Sequence, residues 1–250
     1  QKSVVFAVAP GVYKLKIFSY VASDQEKLPF GGYSVTISRS EYSIEEVELE
    51  GNDEPDFAQS LLVDRSILGS SSSWSDSDYF KFETSADVAG TFFIDTTDKV
   101  DSSFDSYGWS ITLFDESLDI IGFSEYKGGE QIFFDTGLTA GAYFILVRPN
   151  ANNIPLNGSQ YRLRLSISEQ NTSIEFEHND SSEAAQEISF YRQIKGRTTS
   201  YDEDFYSFSL EMPRKVSASI RKEYGGGWDW LMTILNEEGA EVVDRVHCNN

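Results

Sequence analysis

The chain has 250 residues, 40% of them apolar and 14% aromatic, too rich for a disordered acidic tail and enough for two compact domains with cores of their own. Its 41 acidic against 20 basic residues give a formal charge of -21, which repels nucleic-acid phosphates and anionic lipid headgroups, so neither a nucleic-acid partner nor membrane insertion is expected. The single cysteine, Cys248, excludes an intramolecular disulfide, no run of 18 apolar residues marks a membrane span, and a signal peptide, if one exists, would precede Gln1.

In chain order, residues 10–17 (PGVYKLKI) alternate Tyr13, Leu15 and Ile17 with lysines, and residues 32–39 (GYSVTISR) follow after a polar loop. Period two with one polar face predicts antiparallel strands over a core. ELEGND at 48–53 then opens a new series: Ala58-Gln59, Ile67-x-Gly69, the strand DSDYFKF at 76–82, and Trp109 followed by SITLFDE. AGAYFILV at 140–147 and QYRLRLSI at 160–167 return to the opening pattern, with Gly141 on Gly11, Tyr143 on Tyr13 and Tyr161 on Tyr33. EFEHND at 175–180 restarts the series, with Ala185-Gln186, Ile194-x-Gly196, DEDFYSF at 202–208, an alternation of Val216, Ala218 and Ile220, and Trp230 followed by LMTILNE. Clusters of Gly, Asn, Asp and Ser, as in 150–158, punctuate the strands. Helix is expected only as short pieces around Pro55 to Ser60 and Ser182 to Glu187.

The chain is therefore an internal repeat of about 127 residues. The expected fold is all-β, with tandem antiparallel β-sandwich domains of jelly-roll-like form and eight to nine strands per unit. Residues 45–168 form a complete unit, 1–39 the C-terminal part of one, and 172–250 the N-terminal part of another. Each half alone would expose an apolar face and unpaired strand edges. Residues 1–39 would complete 172–250 of the same chain or of a neighbour, or the chain is a piece of a longer array; both ends map to the same loop of the unit, which favours completion, with a lean to the neighbouring chain.

The order and spacing of Glu-x-Glu-x-Asn-Asp, the following Ala, the Asp-x-Asp-aromatic-aromatic-x-Phe strand and the late Gly-x-Tyr strand resemble the bacterial pre-peptidase C-terminal domain, also met as the collagen-binding domain of clostridial collagenases. The resemblance covers nearly the whole chain. It implies a jelly-roll-like sandwich appended to exported proteins, often proteases, that assists secretion, folding or attachment to an insoluble substrate.

The sharpest constellation is acidic: Glu48, Glu50, Asn52 and Asp53 with Asp76 and Asp78, and again Glu175, Glu177, Asn179 and Asp180 with Asp202 and Asp204. Calcium takes roughly six to eight oxygens at about 2.3–2.6 Å, which carboxylates, Asn and backbone carbonyls supply. In an extended segment alternate residues point the same way, so Glu48, Glu50 and Asn52 can converge. Calcium is the expected cofactor, and the resemblance implies that such a linker site folds against the Asp-x-Asp loop and fixes the N-terminal strand. The competing reading makes Glu-x-Glu a solvated strand face and Asn-Asp a cap on the short helix; recurrence of all six oxygen-bearing residues favours the metal.

Catalysis has little to stand on. Only two histidines exist, neither beside a nucleophile elbow, and abundant acids make carboxylate pairs inevitable. No enzyme activity is expected. Trp109 and Trp230, aligned between units, are expected in the core, whereas Trp74 and Trp228 have no counterpart and are candidate surface aromatics for an insoluble protein or polysaccharide. The sequence thus points to a secreted, extracellular or cell-surface structural protein that self-associates through its terminal half units into a filament or array, with a targeting or secretion-assisting module of a secreted protease as the alternative.

Overall fold

The computed structural model describes residues 8, 11–17, 33–38, 46–71, 73, 75–96, 108–127, 131–149, 160–169, 173–197, 203–221 and 230–248. Two compact units divide the chain: Gln1–Glu177 with Lys195–Ser200, and His178–Ile194 with Tyr201–Asn250. The division falls a few residues later than the repeat boundary near 172, because residues 174–177 and 195–197 pack with the first unit.

The first unit is an antiparallel β-sandwich. Nine strands run β1 (Gln59–Ser60), β2 (Ser66–Ser70), β3 (Asp78–Thr84), β4 (Val88–Asp95), β5 (Gly108–Phe114), β6 (Ile120–Lys127), β7 (Gln131–Leu138), β8 (Gly141–Pro149) and β9 (Gln160–Glu169). They form a five-stranded sheet ordered β1-β3-β8-β5-β6 and a four-stranded sheet ordered β2-β9-β4-β7. All pairings within the sheets are antiparallel except the two-residue β1–β3 ladder. The alternation of β9 places Tyr161, Leu163 and Leu165 inward with Arg162 and Arg164 outward, as its period requires. Phe82, Phe92 and Phe134 pack in series across the core, the first pair tilted at 5.8 Å between ring centroids and the second stacked at 5.4 Å. Trp109 is buried and meets Tyr161 edge-on at 5.0 Å, as expected for a core residue.

Helix is scarcer than the sequence suggested. Among the described residues a single 3-10 turn spans Pro55–Phe57, and residues 181–184 only turn. Among the described residues no helix is long and apolar enough to cross a membrane.

Among its described residues the second unit holds two separate strand pairs: β10 (Gln186–Glu187) parallel to β11 (Tyr206–Ser207), and β12 (Trp230–Leu235) antiparallel to β13 (Glu241–Cys248). They reproduce β1–β3 and β5–β6. Gln186 pairs with Tyr206 as Gln59 pairs with Phe80, and the register shift between Ile234 and Leu235 recurs where Leu113 meets Phe114. Three expected strands differ. Residues 11–17, 33–38 and the Val216, Ala218, Ile220 segment form no ladder. An alternating pattern encodes a face, but a strand also needs a partner for its backbone donors and acceptors.

Candidate metal centre

The acidic motif of the first unit is held by an extended segment laid against β2. Val47 bridges Leu68 in parallel, the Glu48 N–H donates to the Leu68 carbonyl at 2.9 Å, and the Leu68 N–H donates to the Glu46 carbonyl at 2.9 Å. Gln59 clamps the same segment: its Nε2 donates to the Val47 carbonyl at 3.0 Å, while its Oε1 accepts from the Leu49 N–H at 2.7 Å. The residues flanking Glu48 are thus fixed on both sides, which drives its side chain inward.

Glu48 is 2% exposed and Asp78 1% exposed, and Asn52 and Asp76 are buried with them; Glu50 is half-buried and Asp53 exposed. Glu48 Oε2 accepts from the Ser70 N–H at 2.9 Å, and Asp78 Oδ2 accepts from the Tyr161 hydroxyl at 2.8 Å. Asn52 ties the motif to β3, its carbonyl accepting from the Tyr79 N–H at 2.9 Å and its Nδ2 donating to the Tyr79 carbonyl at 3.5 Å. The other oxygens of the central pair, Glu48 Oε1 and Asp78 Oδ1, are buried and receive no hydrogen bond. A buried carboxylate oxygen without a donor costs about 1–3 kcal/mol or more.

The electrostatics carry the same message. Burial is the largest cause lifting Glu48 and Glu50 to about 7 and Asp78 to about 10, and the neighbouring charges that add to it all belong to acids, among them Asp53 and Asp76. Glu48 and Asp78 lie within hydrogen-bonding reach of each other, a contact with no donor unless one of them is protonated. The Tyr161 hydroxyl is pushed up by burial and then by the Asp78 charge. Five carboxylates, no cation among the groups that shift Glu48, Glu50 and Asp78, and two buried oxygens without a donor fit a hard divalent cation, which prefers oxygen donors and would supply positive charge.

This geometry corrects the competing reading of the motif. Glu48 is not on a solvated face, and the 3-10 turn has Glu54 at its N-cap with no side-chain capping bond. Sequence reasoning passed over three supports: Gln59, the Ser70 N–H and the Tyr161 hydroxyl. Gln59 had a signal, its recurrence as Gln186, whereas a backbone donor leaves none. Gly69 shows why β2 must lack a side chain beside the site, since a Cβ there would collide with the Tyr161 ring.

The second motif repeats these local bonds. Ile174 bridges Lys195 in parallel, the Glu175 N–H donates to the Lys195 carbonyl at 3.0 Å, the Arg197 N–H donates to Glu175 Oε2 at 2.7 Å, and the Phe205 N–H donates to the Asn179 carbonyl at 2.9 Å. Glu175 and Glu177 are buried in the first unit; in the second, Asn179 is buried, Asp204 half-buried, and Asp180 exposed with its Oδ2 3.6 Å from His178 Nδ1. Asp202, Trp74, Trp228 and the side chain of Trp230 lie outside the described residues.

No family model matches the sequence, and no curated protein matches it. Among the solved structures that match is a bacterial collagenase domain. It is the pre-peptidase C-terminal domain of the collagenase from Bacillus anthracis, 17% identical, covering 46% of this chain and 100% of that chain at a TM-score of 0.34.

Proposed function

We propose that the protein is a non-catalytic extracellular structural protein whose β-sandwich units are stabilised by calcium and joined head to tail into a filament or surface array. The observation that carries the metal is the pair of buried, donorless oxygens Glu48 Oε1 and Asp78 Oδ1 among five carboxylates. Glu48, Asp76 and Asp78 would hold the ion, with Glu50, Asn52 and Asp53 at its margin. Bound there, calcium would tie the linker before β1 to the start of β3 and so brace one unit against the strand that enters it. Glu175 and Glu177, buried in the first unit with recurring backbone bonds, are the second candidate pair. The acidic surface and the sequence resemblance to modules of exported proteins support the extracellular assignment.

Thermal unfolding of chelator-treated protein with and without calcium tests this reading. Calcium at a hundredfold excess over its Kd stabilises by about 2.7 kcal/mol, a rise of several degrees. An unchanged midpoint in wild type removes the proposal, and an equal rise in Glu48→Gln moves the ion elsewhere.

The second reading, a targeting or secretion-assisting module of a secreted protease, draws on the same resemblance. A catalytic domain encoded upstream in the same reading frame would favour it.

A further inference from the structure

The outer face of the five-stranded sheet carries apolar side chains that the core does not use. Two neighbouring cross-strand rows define it: Tyr79, Leu146, Thr112 and Phe123, then Lys81, Phe144, Phe114 and Ile120. The alternate positions of these strands, such as Phe80, Ile145 and Leu113, fill the sandwich, so both rows point away from it. Tyr79 and Phe114 stand on either side of β8 and stack with ring centroids 6.4 Å apart, and Leu146 is buried yet takes no part in the core. Ile120 is 52% exposed and Phe123 41%, with Tyr79, Phe114 and Phe144 half-buried in the same rows. A contiguous apolar patch of this kind on a sheet face marks a contact surface.

The fold does not require the patch, because the same hairpin recurs without it. β12–β13 repeats the register step of β5–β6 and carries Glu241 where β6 has Ile120. Asp244 follows three residues later, as Phe123 follows Ile120. The turn between the strands differs in the same direction. Asp115 and Asn236 hold equivalent turns, each accepting the N–H three residues on through its carbonyl and the N–H four residues on through its side chain. The residue three on is Gly239 at φ 78° in one turn and Leu118 at φ 66° in the other. Left-handed backbone suits glycine and strains leucine, and Leu118 is 44% exposed, so no core packing offsets the strain. Residues held in such conformations cluster at binding sites.

The rim selects the partner. Among the described residues Glu83, Asp115, Glu116 and Asp119 gather at the turn end of the patch, with Lys81 as the cation beside them. At the other end Arg148 and Glu125 flank Ser110. A copy of this chain docked through the same face would set the acidic rim against its twin at a formal charge of -21 each, and anionic lipid is repelled for the same reason. We infer that this face binds a cationic, apolar polypeptide segment. Its apolar side chains lie over Tyr79, Phe114, Ile120 and Phe123, and its lysines or arginines meet the acids of the turn. The inference goes beyond the calcium-braced filament and rests on neither the metal nor assembly.

Fluorescence anisotropy of a dye-labelled amphipathic peptide of leucine and lysine, titrated with the full chain in chelator, tests it. A glycine and lysine peptide of equal charge and a leucine and glutamate peptide serve as controls. The leucine and lysine peptide is expected to bind at least tenfold more tightly than either control, and equal binding of either would overturn the inference. Ile120→Glu with Phe123→Asp introduces the residues of the second hairpin and adds two negative charges. It is expected to weaken binding at least tenfold, whereas attraction by net charge alone would strengthen it; equal or tighter binding would overturn the inference. Should that variant fail to fold, Leu118→Gly decides, because it relieves the left-handed strain: several-fold weaker binding at an undiminished thermal midpoint supports the inference, and unchanged affinity overturns it. Glu116→Gln with Asp119→Asn is expected to weaken binding several-fold, and no change would refute a cationic partner. Wild-type dimers in analytical ultracentrifugation that the Ile120→Glu, Phe123→Asp variant abolishes would assign the face to a second copy and overturn the inference.

Discussion

Asp78→Asn is expected to stabilise the calcium-free protein, the reverse of the usual effect of altering a hydrogen-bonded buried side chain. In the calcium-free fold Asp78 titrates at about 10, raised from 3.8 mainly by burial, so at pH 7 it keeps a proton that the unfolded chain releases. Holding that proton costs about 1.4 kcal/mol for each pH unit between the unfolded pKa and 7, of the order of 4 kcal/mol. Asparagine has the same shape and no charge to neutralise. Its oxygen can still accept from the Tyr161 hydroxyl, and its amide can donate to the Glu48 carboxylate, with which Asp78 is in hydrogen-bonding reach. A gain of about 2–4 kcal/mol in chelator follows, partly offset by the fixed orientation of the amide. With calcium the ranking reverses, because the variant loses a ligand and most of the metal's increment. Urea unfolding at pH 7, followed by tryptophan fluorescence in chelator and in excess calcium, reads both halves. Destabilisation of the variant in chelator would refute the reasoning, since Asp78 would then be held by the protein's own groups.

Four further outcomes follow from the structure. Glu48 and Glu50 titrate at about 7 against an ordinary 4.5, and a raised folded pKa contributes stability that is complete below the unfolded value and lost as pH climbs through the folded one. Calcium-free stability should therefore fall from about pH 4.5 through 7 and on toward 10 as Asp78 ionises, and saturating calcium should flatten the slope; rising calcium-free stability over that range would contradict the site. Calcium binding at pH 7 should release about two protons, one from Asp78 and half each from Glu48 and Glu50, read from calorimetric heats in buffers of different ionisation enthalpy. Gly69→Ala should cost about 1–3 kcal/mol by driving a Cβ into the buried Tyr161 ring, and a loss under about 0.5 kcal/mol in denaturant unfolding would mean that the ring yields. Gly137→Ala should detach residues 174–176 from β7, because its Cβ would strike the Glu175 carbonyl and the Phe176 ring; amide exchange at residue 137 should quicken while β5 stays protected, and unchanged protection would refute it.

Much of the first unit could be read in the sequence because its information is local. Tyr161, Leu163 and Leu165 alternate with arginines, and that pattern alone fixes the face that each presents. The acidic residues were visible because they recur; Glu48, Asn52, Asp76 and Asp78 are buried, and the charges of Glu48, Asp76 and Asp78 act on one another. Their burial was not visible. It depends on Gln59 clamping the backbone on either side of Glu48 and on β2 passing beneath it, both contacts between segments separated in sequence. The contacts that residues 175 and 197 make within the first unit, where the Gly137 N–H donates to the Glu175 carbonyl at 2.8 Å and the Arg197 guanidinium sits 4.4 Å from the Phe134 ring centre, left no periodic trace. Residues 11–17 show the opposite failure. Their alternation marks a strand, yet they join no ladder.

The most direct test of the metal is calorimetric titration of chelator-treated protein with calcium, beside a Glu48→Gln, Asp78→Asn double variant. The account predicts saturable heat in the wild type, accompanied by proton release, with at least one site lost in the variant. No heat in the wild type, or an identical isotherm in the variant, would contradict it.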